Sequence, residues 1–505
     1  MLLLTASEAF PQLERLVLGA KKRVVAGFRI FDADTRLHSE EGQAIGETWA
    51  DLIAHRLREG ISFEFTLADF DPVHRPALHH LAQESAEKLR AAARASGAEE
   101  RFKLACVRHP AQSSLWHRIL FAPLEWREIA KQARRLNQLA ESARDQYLDS
   151  VPGLAAMLHR KPNGKVRVRR RLPPMYPGSH HQKLAVIDRE YLYIGGIDLN
   201  ERRYDDPTHD RAGGETWHDV QLCLTGEVAG SAEDHLRAFQ DECTGRVPPS
   251  PRPGLLRTLS CVRPKLAPMI GPRPVVHEIF DRHLEEIGRA EQLIYLESQF
   301  LRYLPIAEAL AKRAEEVPDL GLIVILPAAP EDIAFDGNQA LDARFGEELQ
   351  ARCLARIRKS FGARACLISP AQPRGVPPDG DRATLMSAPL VYVHAKVSLF
   401  DDRCAIVSSA NLNGRSMKWD TEVGVALTVP EQVTAIRKRV MEHWLPDVPD
   451  PGLLDPATAP AAWTALAHMN AKTAPAERQG FLLPFPESAP RRFGTFVPFA
   501  PPEMV

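Results

Sequence analysis

One spaced pattern occurs twice in this chain, and it constrains the fold more than any other feature. The first copy runs His181, Lys183, Asp188 and then Gly195-Gly196-Ile197-Asp198. The second runs His394, Lys396, Asp401 and then Ser408-Ser409-Ala410-Asn411. The internal intervals are identical, although the copies stand 213 residues apart. Such a repeat predicts two similar halves, each contributing one imidazole, one ammonium and one carboxylate.

The flanks repeat as well. Lys22–Phe31 and Gln292–Leu301 read as buried strands, each preceded by a helical pattern (Ser7–Ala20, Val276–Arg289). Each is followed by a further helix and strand: Glu47–Arg58 with Ser62–Thr66, and Ile306–Glu315 with Leu320–Leu326. Alternating helix and strand predicts an α/β fold of two homologous halves packed pseudo-symmetrically. The first half is expected over residues 1–245, a Pro-rich linker over 246–274, the second half over 275–448 and a Pro-rich tail over 449–505. From Phe28 to His181 is 153 residues, but from Tyr295 to His394 only 99. The surplus is assigned to a helical insertion over about 76–154, rich in Ala, Leu, Glu, Arg and Gln, that packs near the site entrance. The tail keeps Trp463, Phe481, Phe485, Phe493, Phe496 and Phe499, so it is expected to lie along the surface.

Composition narrows the function. Lys plus Arg (64) balance Asp plus Glu (65), so no global field draws in nucleic acid, which is not expected as a partner. No apolar run is long enough to span a bilayer. The start, Met1–Glu8, does not read as a signal peptide, which leaves a cytoplasmic protein or one exported by another route. Seven scattered cysteines without a CxxC pair read as buried free thiols, and no clustered ligands suggest structural zinc.

The motif itself suggests phosphodiester chemistry. Both copies sit in hairpin contexts, and residues two apart share a strand face. His181 therefore points with Lys183, and His394 with Lys396. Lysines neutralise the non-bridging oxygens of a phosphodiester, one neutral His attacks phosphorus, and a protonated His opposite donates to the leaving oxygen. No metal or cofactor is required. The small residues Gly196 and Ser409 permit close approach of backbone to a phosphate, and Asp198 and Asn411 offer polar contacts. The basic run Lys161–Arg171 reads as a charged strand edge, and Trp116 and Trp126 as core residues.

These segments resemble the phospholipase D superfamily. The resemblance covers both halves and extends through Arg203-Tyr204-Asp205, His209, Trp217-His218-Asp219-Val220, Tyr295–Phe300, Asn411–Met417 and Glu422. In this series the chain is similar to phospholipases D proper more than to nucleases or cardiolipin synthases. The resemblance implies one catalytic site between the halves and a phosphohistidine intermediate, with His181 as nucleophile and His394 as acid and then base. Lys183, Lys396, Asn411 and Asp198 would surround the phosphate. Asp219 and Glu422 would orient His394 and His181 respectively, and Asp188 and Asp401, though part of the catalytic motif, would brace the hairpins. The implied reaction is hydrolysis of a glycerophospholipid to phosphatidic acid and a head-group alcohol, with transphosphatidylation to other alcohols. A cardiolipin synthase-like transferase, a nuclease and a non-catalytic lipid-binding protein are the alternatives. The expected partner is phospholipid at a membrane surface, met peripherally by a monomer.

Overall fold

The computed structural model describes residues 1–377, 382–498 and 500–505; Phe499, one of the tail aromatics, lies outside them. The first sheet is built from β1 (Leu2–Leu4), β2 (Arg23–Phe28), β3 (Ser62–Ala68), β4 (Phe102–Val107), β7 (Leu184–Ile187), β8 (Tyr191–Gly195) and β9 (Val220–Thr225). A separate ribbon holds β5 (Leu158–Arg160) and β6 (Val166–Val168). The second sheet is built from β10 (Leu256–Cys261), β11 (Arg273–His277), β12 (Leu293–Ser298), β13 (Gly321–Ile325), β14 (Ala365–Pro370), β17 (Lys396–Phe400), β18 (Cys404–Ser408), β19 (Glu422–Leu427) and β20 (Leu482–Pro484). A short hairpin, β15 (Thr384–Leu385) with β16 (Ala388–Pro389), stands apart.

The seven strands of the first sheet match the inner seven of the second, which adds β11 and β20 at its edges. The orders of the two sheets are β1-β9-β8-β7-β2-β3-β4 and β11-β10-β19-β18-β17-β12-β13-β14-β20. In each, two parallel pairings (β2/β3/β4; β12/β13/β14) meet an antiparallel meander that carries the motif. The period of two sorts side chains between layers. Val24, Ala26 and Phe28 of β2 face helices Thr5–Leu18, Trp49–Arg58 and Pro76–Ser96, while Val25 faces a core shared with the second sheet. That shared core takes Leu184 and Val186 from β7 and Val397 and Leu399 from β17, plus helices Glu227–Thr244 and Pro430–Glu442. The two sheets therefore bury their inner faces in one continuous apolar layer.

Three sequence expectations need correction. Helix Pro76–Ser96 and strand β4 are not inserted: they match helix Leu341–Phe361 and β14 as the last crossover of each sheet. The composition misled because a crossover helix is as rich in Ala, Leu and Glu as any embellishment, and because edge strand β4 is only half-buried. The extra material begins after β4, as helices Leu115–Leu136 and Glu141–Ser150 and the β5–β6 ribbon. Residues 246–274 are not merely a linker, since β10 pairs with β19 inside the second sheet. The tail is not confined to the surface: β20 extends the sheet beside β14, and Trp463 is fully buried. All seven cysteines are free thiols.

Candidate functional site

The two meanders meet edge to edge at their motif ends. His180 bridges Thr421 and His218 bridges Val393, both in parallel sense. The His181 backbone N–H donates to the Thr421 carbonyl (2.9 Å) and the His394 N–H to the His218 carbonyl (2.7 Å). Each bridge sets a motif histidine beside a carboxylate of the other half: Glu422, the first residue of β19, or Asp219, just before β9. His181 Nδ1 lies 3.0 Å from the Glu422 carboxylate and 3.1 Å from the Ser409 carbonyl. His394 Nδ1 lies 2.5 Å from Asp219 Oδ2. With Nδ1 engaged in both rings, Nε2 is the nitrogen left for substrate.

The lysines fold back on their own strands. Lys183 Nζ donates to the His181 carbonyl (2.8 Å) and lies 3.6 Å from Asp198 Oδ2. Lys396 Nζ contacts the His394 carbonyl and lies 2.9 Å from its Nδ1. All these groups are buried. Burial, then the neighbouring lysines and arginines, holds both imidazoles well below their ordinary value. Burial also lowers Lys183, brings Lys396 down to about 7 and drives Asp219 and Glu422 up to about 7 and about 8. Burial thus works against charge on both members of each His–carboxylate pair.

Several expected residues serve the scaffold instead. Asp188 accepts the backbone N–H groups of Lys21, Lys22 and Arg23 (2.6–2.8 Å), and Asp401 those of Glu291, Gln292 and Leu293 (2.8–3.0 Å). Both sit at the far ends of β7 and β17, on left-handed turns (φ 54° and 53°), remote from the imidazoles. The backbone N–H groups of Gly196 and Ser409 are consumed by the carbonyls of Val220 (3.0 Å) and Val423 (2.8 Å), so neither donates to a phosphate. A Cβ at Gly196 would stand 2.0 Å from Asp219 Oδ1; the glycine exists to admit that carboxylate. The Ser409 hydroxyl bonds Glu422. Asp198 accepts from the Ile30 N–H (2.8 Å) and balances Lys183. Asn411 Nδ2 donates to Gln299 (3.1 Å), while its Oδ1 is buried without a partner among the described residues.

Sequence reasoning assigned no role to the arginines that surround this centre. The charges of Arg29 and Arg415 act on His181, and that of Arg203 on His394. The Nε atoms of all three are buried and unpartnered among the described residues. Arg203 lies over the Trp217 ring (4.3 Å), which also packs against the His394 ring (4.5 Å between centroids). The available signal was position: Arg29 follows β2 directly, as Gln299 follows the matching β12. A separate cavity of ≈ 500 Å³, lined by Asp69, His79, Arg108 and Tyr176, contains none of the motif residues.

A family model described as "Cardiolipin synthase, PLD-like domain" matches residues 380–444. Phospholipase D alpha 1 of Oryza sativa subsp. japonica is 23% identical over 364 residues, covering 49% of this chain and 45% of that protein. Phospholipase D alpha 1 of Nicotiana tabacum is 25% identical over 379 residues (50% and 46%), and phospholipase D1 of Schizosaccharomyces pombe 22% over 349 residues (51% and 25%). The matched region thus spans about half or less of these relatives' length. In fold the chain is similar to the phosphatidylserine synthase of Haemophilus influenzae Rd KW20, with a TM-score of 0.51 and 13% identity over 93% of both chains. The doubled motif on matched sheets and these similarities support a relation to the phospholipase D superfamily.

Proposed function

We propose that the chain is a phospholipase D-type phosphodiesterase with a single site shared by its two halves. The observation that carries this reading is the crossed pairing of His181 with Glu422 and His394 with Asp219 amid buried cations. In the forward step His181 Nε2 bonds to phosphorus and the bond to the head-group oxygen breaks. His394 gives that oxygen its proton, so the head group leaves as an alcohol. His394 then takes a proton from water as the hydroxyl attacks phosphorus, and the phosphorus–His181 bond breaks to release phosphatidic acid. Lys183, Lys396 and the nearby arginines offset the charge gathered on the non-bridging oxygens. A phosphodiester beside His394 adds negative charge and favours its imidazolium form. An alcohol in place of water gives transphosphatidylation by the same route. Since one chain holds both imidazoles, a monomer suffices.

A lipid rather than a nucleic acid is favoured by helix Leu115–Leu136. Trp116, Ile119, Leu120 and Leu124 recur at helical spacing and are 60%, 52%, 68% and 58% exposed. Trp116 and Trp126 are thus not core residues; the core face is Ala122, Ile129, Ala133 and Leu136. The helix start is tied to Lys265 by a backbone bond (2.8 Å), near exposed Leu266 and Met269. Arg118 fixes it to the carbonyls of Leu172 and Pro173, in the segment that runs into His181. Exposed basic residues of the β5–β6 ribbon and Arg169–Arg171 lie alongside, where Trp126 Nε1 donates to the Arg171 carbonyl (3.0 Å). An apolar helical face flanked by basic residues suits peripheral docking on an anionic bilayer. No helix of the described residues is long and apolar enough to cross a membrane.

The deciding experiment incubates the protein with a phospholipid panel, a primary alcohol and DNA, and identifies products by mass spectrometry. Phosphatidic acid together with a phosphatidyl-alcohol is the expected result. Cut DNA beside intact lipid would overturn the reading, and product formed only with alcohol would make the enzyme a dedicated transferase.

A further inference from the structure

Behind Asp219 lies a second histidine cluster that the phosphodiester chemistry does not use. His209, His218 and His443 each bring one ring nitrogen within 4.8 Å of the others. His209 and His443 meet Nε2 to Nε2 at 3.0 Å, and the His218 and His443 rings stack at 4.6 Å between centroids. His209 and His218 are wholly buried. Their nearest sequence neighbours in the set are far enough apart that no ligand spacing marks them.

The outer contacts set which nitrogens are free. His209 Nδ1 bonds Asp205 Oδ2 (2.7 Å), leaving Nε2 with a lone pair toward His443. His218 Nε2 bonds Glu297 Oε2 (3.1 Å), and its buried Nδ1 has no partner among the described residues. The two carboxylates are themselves held: Asp205 by the Trp217 N–H (2.6 Å), Glu297 by Trp444 Nε1 (2.8 Å) and the Tyr295 hydroxyl. Imidazoles oriented by a carboxylate on the opposite nitrogen are the arrangement that metal-ligating histidines adopt. His209 also sits at φ 50°, a left-handed conformation unusual for a side-chain-bearing residue, with its carbonyl fixed by Gln372 (2.7 Å). A hydrogen bond between His209 and His443 accounts for one nitrogen pair; it does not account for the orphaned nitrogen of His218.

We propose that His209, His218 and His443 bind one divalent transition metal of the zinc class. Three neutral imidazoles suit zinc, copper, nickel or cobalt and exclude the hard cations calcium and magnesium, which take oxygen ligands. The half-buried His443 gives the ion its way in. Since His209 and His218 come from the first sheet's connections and His443 from the end of helix Pro430–Glu442 under the second, the ion would staple the halves together directly behind the Asp219–His394 pair. It takes no part in phosphoryl transfer.

The test uses the full, tag-free chain, stripped with chelator and re-equilibrated with micromolar Zn2+ in a zinc buffer. Elemental analysis should return about one zinc per chain and the melting temperature should rise. Cobalt added alone should give the visible bands of a nitrogen-rich tetrahedral or five-coordinate site. His443→Ala should weaken binding about 100-fold or more, Asp205→Asn about 10- to 100-fold, and His443→Cys should restore it. If His443→Ala does not fold, the cobalt spectrum and zinc stoichiometry of the wild type still decide the matter. Folded wild-type protein that retains no zinc and shows no cobalt bands would overturn the proposal, as would equal retention by folded His443→Ala. Neither result bears on the lipid assay, so the two readings fail separately.

Discussion

The two halves share a frame and differ in charge. In the first, Lys183 is balanced by Asp198, 3.6 Å away, and that carboxylate is pinned to the Ile30 N–H. In the second, the matching position is Asn411, and no ion pair joins Lys396 to a carboxylate among the described residues; its Nζ contacts His394. Burial lowers both lysines, and Lys396 reaches about 7. The carboxylates that hold the imidazoles also differ in their support. Asp219 fits only because Gly196 has no side chain, whereas Glu422 is gripped by the Ser409 hydroxyl. A duplicated fold thus supplies two similar imidazole mounts, and a few point differences give them unequal surroundings. Unequal surroundings are what a reaction with one nucleophile and one proton carrier requires.

Removing each imidazole in turn should have the largest effect. His181→Ala and His394→Ala should each lose roughly 10^4-fold in turnover, since each acts in both steps. Covalent trapping separates them. Incubation with a radiolabelled phosphatidyl nitrophenol, whose leaving group needs no proton, and denaturing quench should leave label on His394→Ala and none on His181→Ala. The reverse pattern would exchange the two roles, and label on both would end the idea of a single nucleophile.

The supports should separate next. Gly196→Ala forces a Cβ to within 2.0 Å of Asp219 Oδ1, a carboxylate already held by the Val220 N–H (2.8 Å) and His394. A displacement of that size should cost about 100-fold in kcat with little change in KM. Ser409→Ala removes one hydroxyl from Glu422 and should cost about 10-fold. Equal losses would mean that the two mounts are interchangeable after all.

Much of this arrangement was legible in the sequence, for a physical reason. Residues whose spacing is fixed by a strand, such as His181 with Lys183, announce themselves because a period of two leaves no freedom. The alternation of buried strands with helices likewise fixed the class of fold, as in Val24–Phe28 and its counterpart Leu293–Ser298. The rest depended on tertiary approach. Gly196 and Ser409 looked like phosphate contacts because small residues near a motif serve either purpose, and only the third dimension shows their N–H groups spent on Val220 and Val423. Trp116 was read as core because an aromatic on an amphipathic helix gives no sign of which face is covered; here it stands 60% exposed. The start of the extra helices was misplaced because a half-buried edge strand, β4, lacks the apolar run that marks a central one. His209, His218 and His443 share no sequence interval at all, so their meeting is invisible until the halves close.

The smallest effect tests the second mount by its proton. Burial lifts the Glu422 carboxyl from its ordinary 4.5 to about 8, so between those values the folded chain keeps a proton that the unfolded chain has released. Stability from this group is complete below pH 4.5 and is lost as pH rises toward 8. His181 runs the other way: its value is lowered on folding, so its contribution is lost as pH falls below about 6.5. Glu422→Gln removes the first dependence and keeps the second. Melting temperatures measured from pH 5 to pH 8 should therefore show the wild type losing a few degrees relative to Glu422→Gln as pH rises. Parallel curves would mean that Glu422 is already ionised in the folded chain. The mount would then hold a carboxylate against a charged imidazole, and His181 would have to lose a proton before it could attack phosphorus.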